Sequence, residues 1–545
     1  MSKIMYVDLD RGKISEEAFV FKNLSSAGRG LAVQLIGTQT DLKTGHRRGN
    51  CLVLAPGLLT GTKVPSTGRL VIAGLKVRER GLHLANTAGP FAQKLASQGV
   101  SALVVTGSYS PGRTAVIHIR DEGADLHVFP ELHDKPVGET IGYLREKWGE
   151  GSAIVGVGPA GEHMLPLAGV FSTYPARGIP VFSVSRDKVG EVFGSLGLKA
   201  VVISTKPHFL ADVQDREKLW LYSKQLSRLI VQHPVCGGAL PAYGSLTLMK
   251  MLQEYNPKEA FQSKAQGKKA GVNKGGFTVK ERKEKEEQCV NRAKGTIRLN
   301  RSCTIGCVVG CLNRHAGSSG EILSSPMESE VKAACREMFG INDPHFARRI
   351  TLRCFEFGLD PMEFLAGCKM LFEAEGTSGQ LSAIEHLAEE VEKLSLRGRA
   401  LASTTAGLAA LFADDPALQP LVTRPSEKEA SSFIVRLPYR EEGLEDISDL
   451  DYLFAYTIVS ANLGLCLFTS FALLESPRGL QILSNLIEAK TGEKIPAGEI
   501  IREGLQCIRS NEILEEELRN LQQLRRIPEF IKVLLRYFQV RGEKQ

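Results

Sequence analysis

At 545 residues, with 43% hydrophobic and 24% charged positions, the chain is too long for one core and too ordinary in composition to be disordered, collagenous or membrane-spanning. Its net charge of +7 is concentrated in a Lys- and Arg-rich segment, 263–301, whose single aromatic residue is Phe277. Such a run reads as a solvated linker, because surfaces for nucleic acid interleave basic residues with aromatics that stack on bases; nucleic acid is not an expected partner. Eleven cysteines, an odd number with Cys335, Cys354, Cys368 and Cys507 in apolar helical patterns, indicate reduced thiols in a reducing compartment rather than a disulfide framework. The N-terminus alternates like a strand and lacks the apolar core of a signal peptide, and no later stretch reaches the length of a membrane span. The expectation is a cytoplasmic protein without membrane insertion.

Along the chain, short apolar runs punctuated by glycine predict strands at 4–9, 51–55, 70–74, 102–107, 114–119, 153–156 and 200–204. Short helical patterns at 91–98 and 137–148 lie between them, so the first part is a sheet-based α+β domain. From Asp212 the texture changes to apolar residues three and four apart, predicting helices over 219–232, 329–339, 344–357, 361–375, 382–396 and 499–538. The expected fold is α+β, with a cofactor-cradling sheet domain over 1–208, a helical domain over 209–415 that carries a cysteine loop, and a second helical domain over 416–545. A Pro-, Ser- and Glu-containing stretch at 414–432 marks the last boundary.

The chemistry-bearing feature is Cys303, Cys307 and Cys311, with Cys466 far downstream in Leu463-Gly464-Leu465-Cys466. Three close thiolates plus one remote thiolate suit a [4Fe–4S] cube, whose irons each need a soft ligand. On a continuous helix the same spacing would place three core cysteines on one stripe. Gly306 and Gly310, each just before a cysteine, work against a helix and free backbone amides to face the sulfurs. A structural zinc site needs the same four thiolates in a closed tetrahedron and stays open as an alternative.

Other motifs carry less. Gly156-Val-Gly158-Pro-Ala-Gly161 follows a strand, but Pro166 comes too early for the strand–turn–helix unit of a dinucleotide site. Pro65-Ser-Thr-Gly-Arg69 and Ala85-Asn86-Thr-Ala-Gly89 are turns in which amides, an arginine and a side-chain amide can meet an anion, or plain surface turns. Glu328 and Glu330 fall at a helix N-terminus, where capping accounts for them equally well. Gly358-Leu-Asp360-Pro361 ends one helix and starts the next.

Taken in order, these pieces resemble the aldehyde ferredoxin oxidoreductase family of tungsten-pterin enzymes. The resemblance lies in Ile4–Leu9, Gly28-Arg-Gly-Leu-Ala32, Leu54–Gly61 through Arg69, Ala85–Phe91, Gly158–Glu162, Val189–Gly194, Gly358–Asp360 and Leu463–Cys466, and it spans nearly the whole chain. It implies oxidation of a small aldehyde-type substrate to a carboxylate, with electrons leaving through a [4Fe–4S] cluster on Cys303, Cys307, Cys311 and Cys466 to ferredoxin or another redox subunit. It further implies a tungsten, or molybdenum, bis-pterin cofactor with magnesium between its phosphates. Arg69 would bridge cluster and pterin, Asn86 would help hold the magnesium, and Gly89 and Arg186 would line the cofactor. Asp360 and the Gly464–Leu465 backbone would hold pterin rings, and Glu330, with Glu328 as competitor, would accept or donate a proton.

The chain also departs from that pattern. Its cysteine spacing is three and three, where the family has two and three. Phe355 and Ala461 stand where the pterin motifs carry acids, and Ser185-Arg186-Asp187-Lys188 stands where close backbone approach calls for glycine. The family's active-site histidine has no counterpart between Asp360 and Cys466 except His386, which sits in an amphipathic helical pattern. Two alternatives follow: a member retaining only the cluster, as an electron-transfer or accessory subunit, and a non-redox scaffold with structural zinc.

Overall fold

The computed structural model describes residues 2–39, 50–76, 81–109, 114–175, 182–186, 188–206, 212–245, 247–248, 302–312, 315–316, 322–323, 328–411, 437–519, 533–534 and 537. The basic segment 263–301, the 414–432 stretch and Asp187 lie outside them.

Two mixed six-stranded sheets build the first part. The first contains β1 (Lys3–Asp8), β2 (Lys13–Ala18), β3 (Cys51–Pro56), β4 (Arg69–Lys76), β5 (Gly81–Ala88) and β6 (Val100–Thr106), in the order β2-β1-β6-β3-β4-β5. The second contains β7 (Ala115–Arg120), β8 (Gly123–Val128), β9 (Ala153–Gly156), β10 (Phe171–Thr173), β11 (Phe182–Val184) and β12 (Leu198–Ile203), in the order β11-β10-β9-β12-β7-β8. Only β1–β6 and β7–β12 pair in parallel.

Central strands such as β3 are apolar on both faces because both faces are covered. Leu52 and Leu54 of β3 point into a core shared with Ile117, Val155 and Val201 of the second sheet. Val53 and Ala55 point the other way, beneath Leu31 and Ile36 of α1 (Gly28–Gln39). The short helix α2 (Pro90–Ser97) sits between the sheets, with Phe91 and Leu95 in their common core and the Lys94 Nζ donating to Gly151 O at 2.8 Å and Thr205 O at 2.6 Å. On the outer face of the second sheet, α3 (Val137–Trp148) packs Val137, Ile141 and Leu144 against Val116, Ile154 and Val202. After β9, α4 (Pro159–Glu162) lasts a single turn, so the glycine pattern there leads into no long helix; α5 (Gly190–Ser195) returns the chain to β12.

Helices dominate the rest: α6 (Arg216–Gln232), α7 (Leu240–Tyr243), α8 (Glu328–Phe339), α9 (Pro344–Phe357), α10 (Pro361–Ala374), α11 (Leu381–Glu392), α12 (Leu396–Leu401), α13 (Thr404–Leu411), α14 (Asp449–Leu463), α15 (Ser470–Glu475), α16 (Gly479–Thr491) and α17 (Ala497–Arg519). They sort into two cores. Residues of α8 to α13 pack with Leu165, Leu167 and Ala168 of the sheet domain. Leu219, Leu226 and Ile230 of α6 pack with α14 to α17. The single helix predicted over 382–396 is in fact two: Leu394 at φ +55° ends α11, and the Ser395 hydroxyl accepts from Gly398 N to cap α12.

Candidate functional site

Residues 302–311 form a series of turns, not a helix, and Gly306 (φ +76°) and Gly310 (φ +64°) adopt the left-handed backbone that side chains disfavour. The loop is docked on the turn that leads into β4. Ser66, itself at φ +59° and buried, donates its amide to Gly306 O at 3.1 Å, and its hydroxyl accepts from Val308 N at 3.3 Å. Its carbonyl accepts from Cys466 N at 2.9 Å. One serine thus joins the near cysteines to the remote one. Thr304 adds a second anchor, donating to Gly89 O at 3.1 Å and filling the space above Gly68, where a Cβ would meet its hydroxyl at 2.0 Å. Gly89 thereby positions the loop through its carbonyl.

Three of the sulfurs, those of Cys303, Cys311 and Cys466, act on one cation, Arg69, and Cys307 joins them through Cys303. Arg69 Nη2 lies 3.8 Å from Cys466 Sγ, and Arg69 Nη1 donates to Asn86 O at 3.5 Å. Burial alone would lower the Arg69 pKa, but Cys466, Cys303 and Cys311 hold it above its usual value. Cys307 is pulled down to about 6 by a hydrogen bond from the Cys303 thiol, helped by the Gly310 and Val309 amides and the Ser66 hydroxyl, against the effect of burial. Gly310 N points at Cys307 Sγ from 3.4 Å. Cys303 is raised by its bond to Cys307 and by burial, and Cys311 by burial and by Cys466.

Thiolate-stabilising amides and a buried guanidinium are what an anionic iron–sulfur cluster asks of its surroundings. A zinc tetrahedron with bonds of about 2.3 Å brings sulfurs to roughly 3.8 Å of one another. Among the described residues, no three of these sulfurs lie within 4.8 Å of each other. The donor set, four thiols with amides and a guanidinium beside them, fits an iron–sulfur cluster.

A second group of charged residues lies beside the α9–α10 junction. Gly358 (φ +89°) closes α9, and Asp360, 2% exposed, caps α10 by accepting from Met362 N at 2.9 Å. Arg186 Nε reaches the other Asp360 oxygen at 3.6 Å. Lys188, at φ +58°, pairs with Glu363 at 3.5 Å. Glu328 opens α8, and Glu330, still in its first turn, is raised by burial, opposed by its helix-terminal amide contact, by Ser245 Oγ at 3.0 Å and by Arg186. Arg186 thus acts electrostatically on both Asp360 and Glu330. The Gly464 carbonyl accepts from Arg69 N at 3.1 Å, and Leu465 N donates to Ser460 O at 2.8 Å.

Residues 4–205 match the family model described as aldehyde ferredoxin oxidoreductase, N-terminal domain. The tungsten-containing aldehyde ferredoxin oxidoreductase of Pyrococcus horikoshii is 29% identical over 384 residues, and that of Thermococcus kodakarensis is 28% identical over 383 residues. Each alignment covers 68% of this chain and 58% of the relative, so the match spans little more than half the length of those proteins. The chain is thus similar to the aldehyde ferredoxin oxidoreductase family, whose N-terminal domain model matches residues 4–205. Among solved structures, the active site complex of benzoyl coenzyme A reductase, in complex with 1,5-dienoyl-CoA, shares the fold, with a TM-score of 0.71 at 16% identity over 99% of this chain and 94% of that one.

For the pterin cofactor that the resemblance implies, the residues present give two opposite indications. The Asn86 Oδ1 atom is buried without a hydrogen-bond partner, an acceptor that a bound cation would satisfy. Asp360, by contrast, is already engaged by Arg186 and by its helix cap. His386 lies on α11, 3.9 Å from Glu390 and largely exposed, consistent with its amphipathic setting.

Sequence reasoning missed several residues here. Ser66 carries no chemical signature, and only its fold position makes it a hub. Tyr174 is buried within electrostatic reach of Cys303, Arg69 and Cys311, and its hydroxyl donates to Ser183 Oγ at 2.5 Å. His233 is buried, its Nδ1 accepting from Val235 N and Cys236 N while its Nε2 meets Glu475 at 3.0 Å. Cys236 lies within electrostatic reach of Cys466 and donates to Phe468 O at 3.2 Å. His233 lies outside the 360–466 interval in which the resemblance places the family's histidine.

Proposed function

We propose that the chain is an iron–sulfur oxidoreductase that oxidises an aldehyde or related oxo group to a carboxylate and passes the electrons through a [4Fe–4S] cluster to ferredoxin or another redox subunit. The observation that carries this reading is the convergence of Cys303, Cys311 and Cys466 on Arg69, with Cys307 hydrogen-bonded to Cys303. The names of its relatives, which specify tungsten, an aldehyde and ferredoxin, support it. Every described cysteine is a free thiol, and among the described residues no helix is long and apolar enough to cross a membrane; both suit a cytoplasmic setting.

In this reading the cysteines hold the cluster and Arg69 balances its negative charge. Asn86 and Asp360 would hold the magnesium and pterin sides of a tungsten or molybdenum cofactor, which when bound would supply the two-electron acceptor. Aldehyde and water give the carboxylic acid, two protons and two electrons, so the site also needs a proton acceptor. Glu330 takes that role, its carboxylate steadied by Ser245 and by the positive charge of Arg186. A pterin held by Asp360 would have to displace Arg186 from that carboxylate.

The Arg186–Asp360 pair favours a second reading, a cluster-bearing electron-transfer or accessory subunit without pterin. Metal analysis by mass spectrometry on protein purified without oxygen separates the two. About four irons with one tungsten or molybdenum per chain is the expected result, followed by viologen reduction with an aldehyde panel. Four irons without either metal would leave the second reading standing, and zinc in place of iron would sink both.

A further inference from the structure

Outside the cysteine site, a separate group of metal-binding side chains lies on the second sheet. In the β7–β8 hairpin, His118 is paired directly with Asp125, and His127, two residues further along β8, faces the same side. That face is the outer one, where α3 packs and ends at Trp148. One ligand atom from each of His118, Asp125 and His127 lies within 4.8 Å of the others.

The imidazoles are oriented as metal ligands are. His118 is 7% exposed and stacks on the Trp148 indole, with ring centroids 4.1 Å apart and an interplanar angle of 17°. Its Nε2 is held 2.8 Å from the Ser204 hydroxyl. A ligating histidine anchors one ring nitrogen in this way and offers the other to the metal. His127 Nε2 is buried without a hydrogen-bond partner, which packing against Trp148 does not explain. Arg120 holds Asp125 Oδ2 at 2.7 Å, leaving the carboxylate a second oxygen for coordination.

We propose that His118, Asp125 and His127 form a site for a divalent transition-metal ion, zinc foremost. Two imidazoles and a carboxylate match the ligand preferences of such ions, and three protein donors leave at least one position for water. β8 is an edge strand, so an ion can enter from solvent, and once bound it would tie that edge to β7 beneath Trp148.

The test uses full-length protein purified without oxygen and carrying Trp220→Phe, which leaves Trp148 as the reporter of the two tryptophans. Zinc chloride is titrated while Trp148 emission is followed, and zinc retained after dialysis is counted by mass spectrometry. The expected result is a saturable change in emission with one zinc retained, weakened at least tenfold by His127→Gln and undiminished by Arg120→Gln, which frees Asp125. If His127→Gln does not fold, Asp125→Asn, at a half-buried position, gives the same readout. Zinc binding that is equally tight in the His127 or Asp125 variant, or emission that zinc leaves unchanged in the parent protein, would overturn the proposal.

Discussion

Glu330 is the side chain on which the proposed chemistry can be tested most directly. Burial lifts its pKa, while Ser245 Oγ at 3.0 Å and the charge of Arg186 pull the other way. If the carboxylate accepts the proton, turnover falls as pH drops through this raised value, giving an acid limb above the ordinary carboxylate range. Ser245→Ala removes a contact that favours the ionised form, so it raises the pKa further and moves the limb to higher pH. Glu330→Gln should cost about 10²- to 10⁴-fold in turnover while iron content stays at the parent level. A pH–rate profile of viologen reduction for the three proteins decides the matter: an acid limb that Ser245→Ala does not move, or a Glu330→Gln variant that turns over normally, removes Glu330 from the mechanism.

At the scale of elements, the remote cysteine is delivered by a contact between two glycines. After β3 the chain turns at Gly57, and a Cβ there would lie 1.9 Å from the amide nitrogen of Gly464, at the end of α14. The absence of that carbon lets Leu58 N reach Asn462 O at 2.8 Å and Leu59 N reach Leu463 O at 3.1 Å, so the helix end docks on the sheet and presents Cys466 to Ser66 and Arg69. Gly57→Ala must push these backbones apart, at a cost of about 1–3 kcal/mol or more for overpacking. The expected outcome is a lower Tm together with substoichiometric iron; parent-like values of both would mean that this contact does not set the geometry of the cysteines.

The same contact shows what a sequence conceals. The apolar runs at 51–55, 70–74 and 102–107 mark β3, β4 and β6 because both faces of these strands are buried. The three-residue β10 and β11 are too short to show periodicity. The cysteine loop is legible because soft ligands so close together serve few purposes, and because Gly306 and Gly310 argue against a helix there; the structure adds that both are left-handed. Ser66, Tyr174 and the Arg186–Asp360 pair are not legible. Their meaning lies in neighbours hundreds of residues away or across a domain, and nothing in their own spacing announces it.

For the molecule as a whole, a cluster at this site would be a cross-link as well as an electron carrier. The near cysteines rest on the sheet domain through Ser66 and Thr304, whereas Cys466 follows a helix whose core includes α6, α16 and α17. Binding four thiolates at once joins these parts, and an assembled cluster binds the folded chain alone, so its affinity adds to stability. Removing iron with a chelator under anaerobic conditions should therefore lower Tm by several degrees, tempered by the chain's length. The accompanying loss of hydrogen-exchange protection should centre on 302–312 and 463–469, leaving β3, β4 and β6 protected. Iron with sulfide should restore both signals, and zinc should not, because a single ion would have to draw all four thiolates into one tetrahedron, whereas a cube spans them. Full restoration by zinc would show that these cysteines close into a tetrahedron, and an unchanged Tm on losing iron would show that the loop and Cys466 are held together by the protein alone.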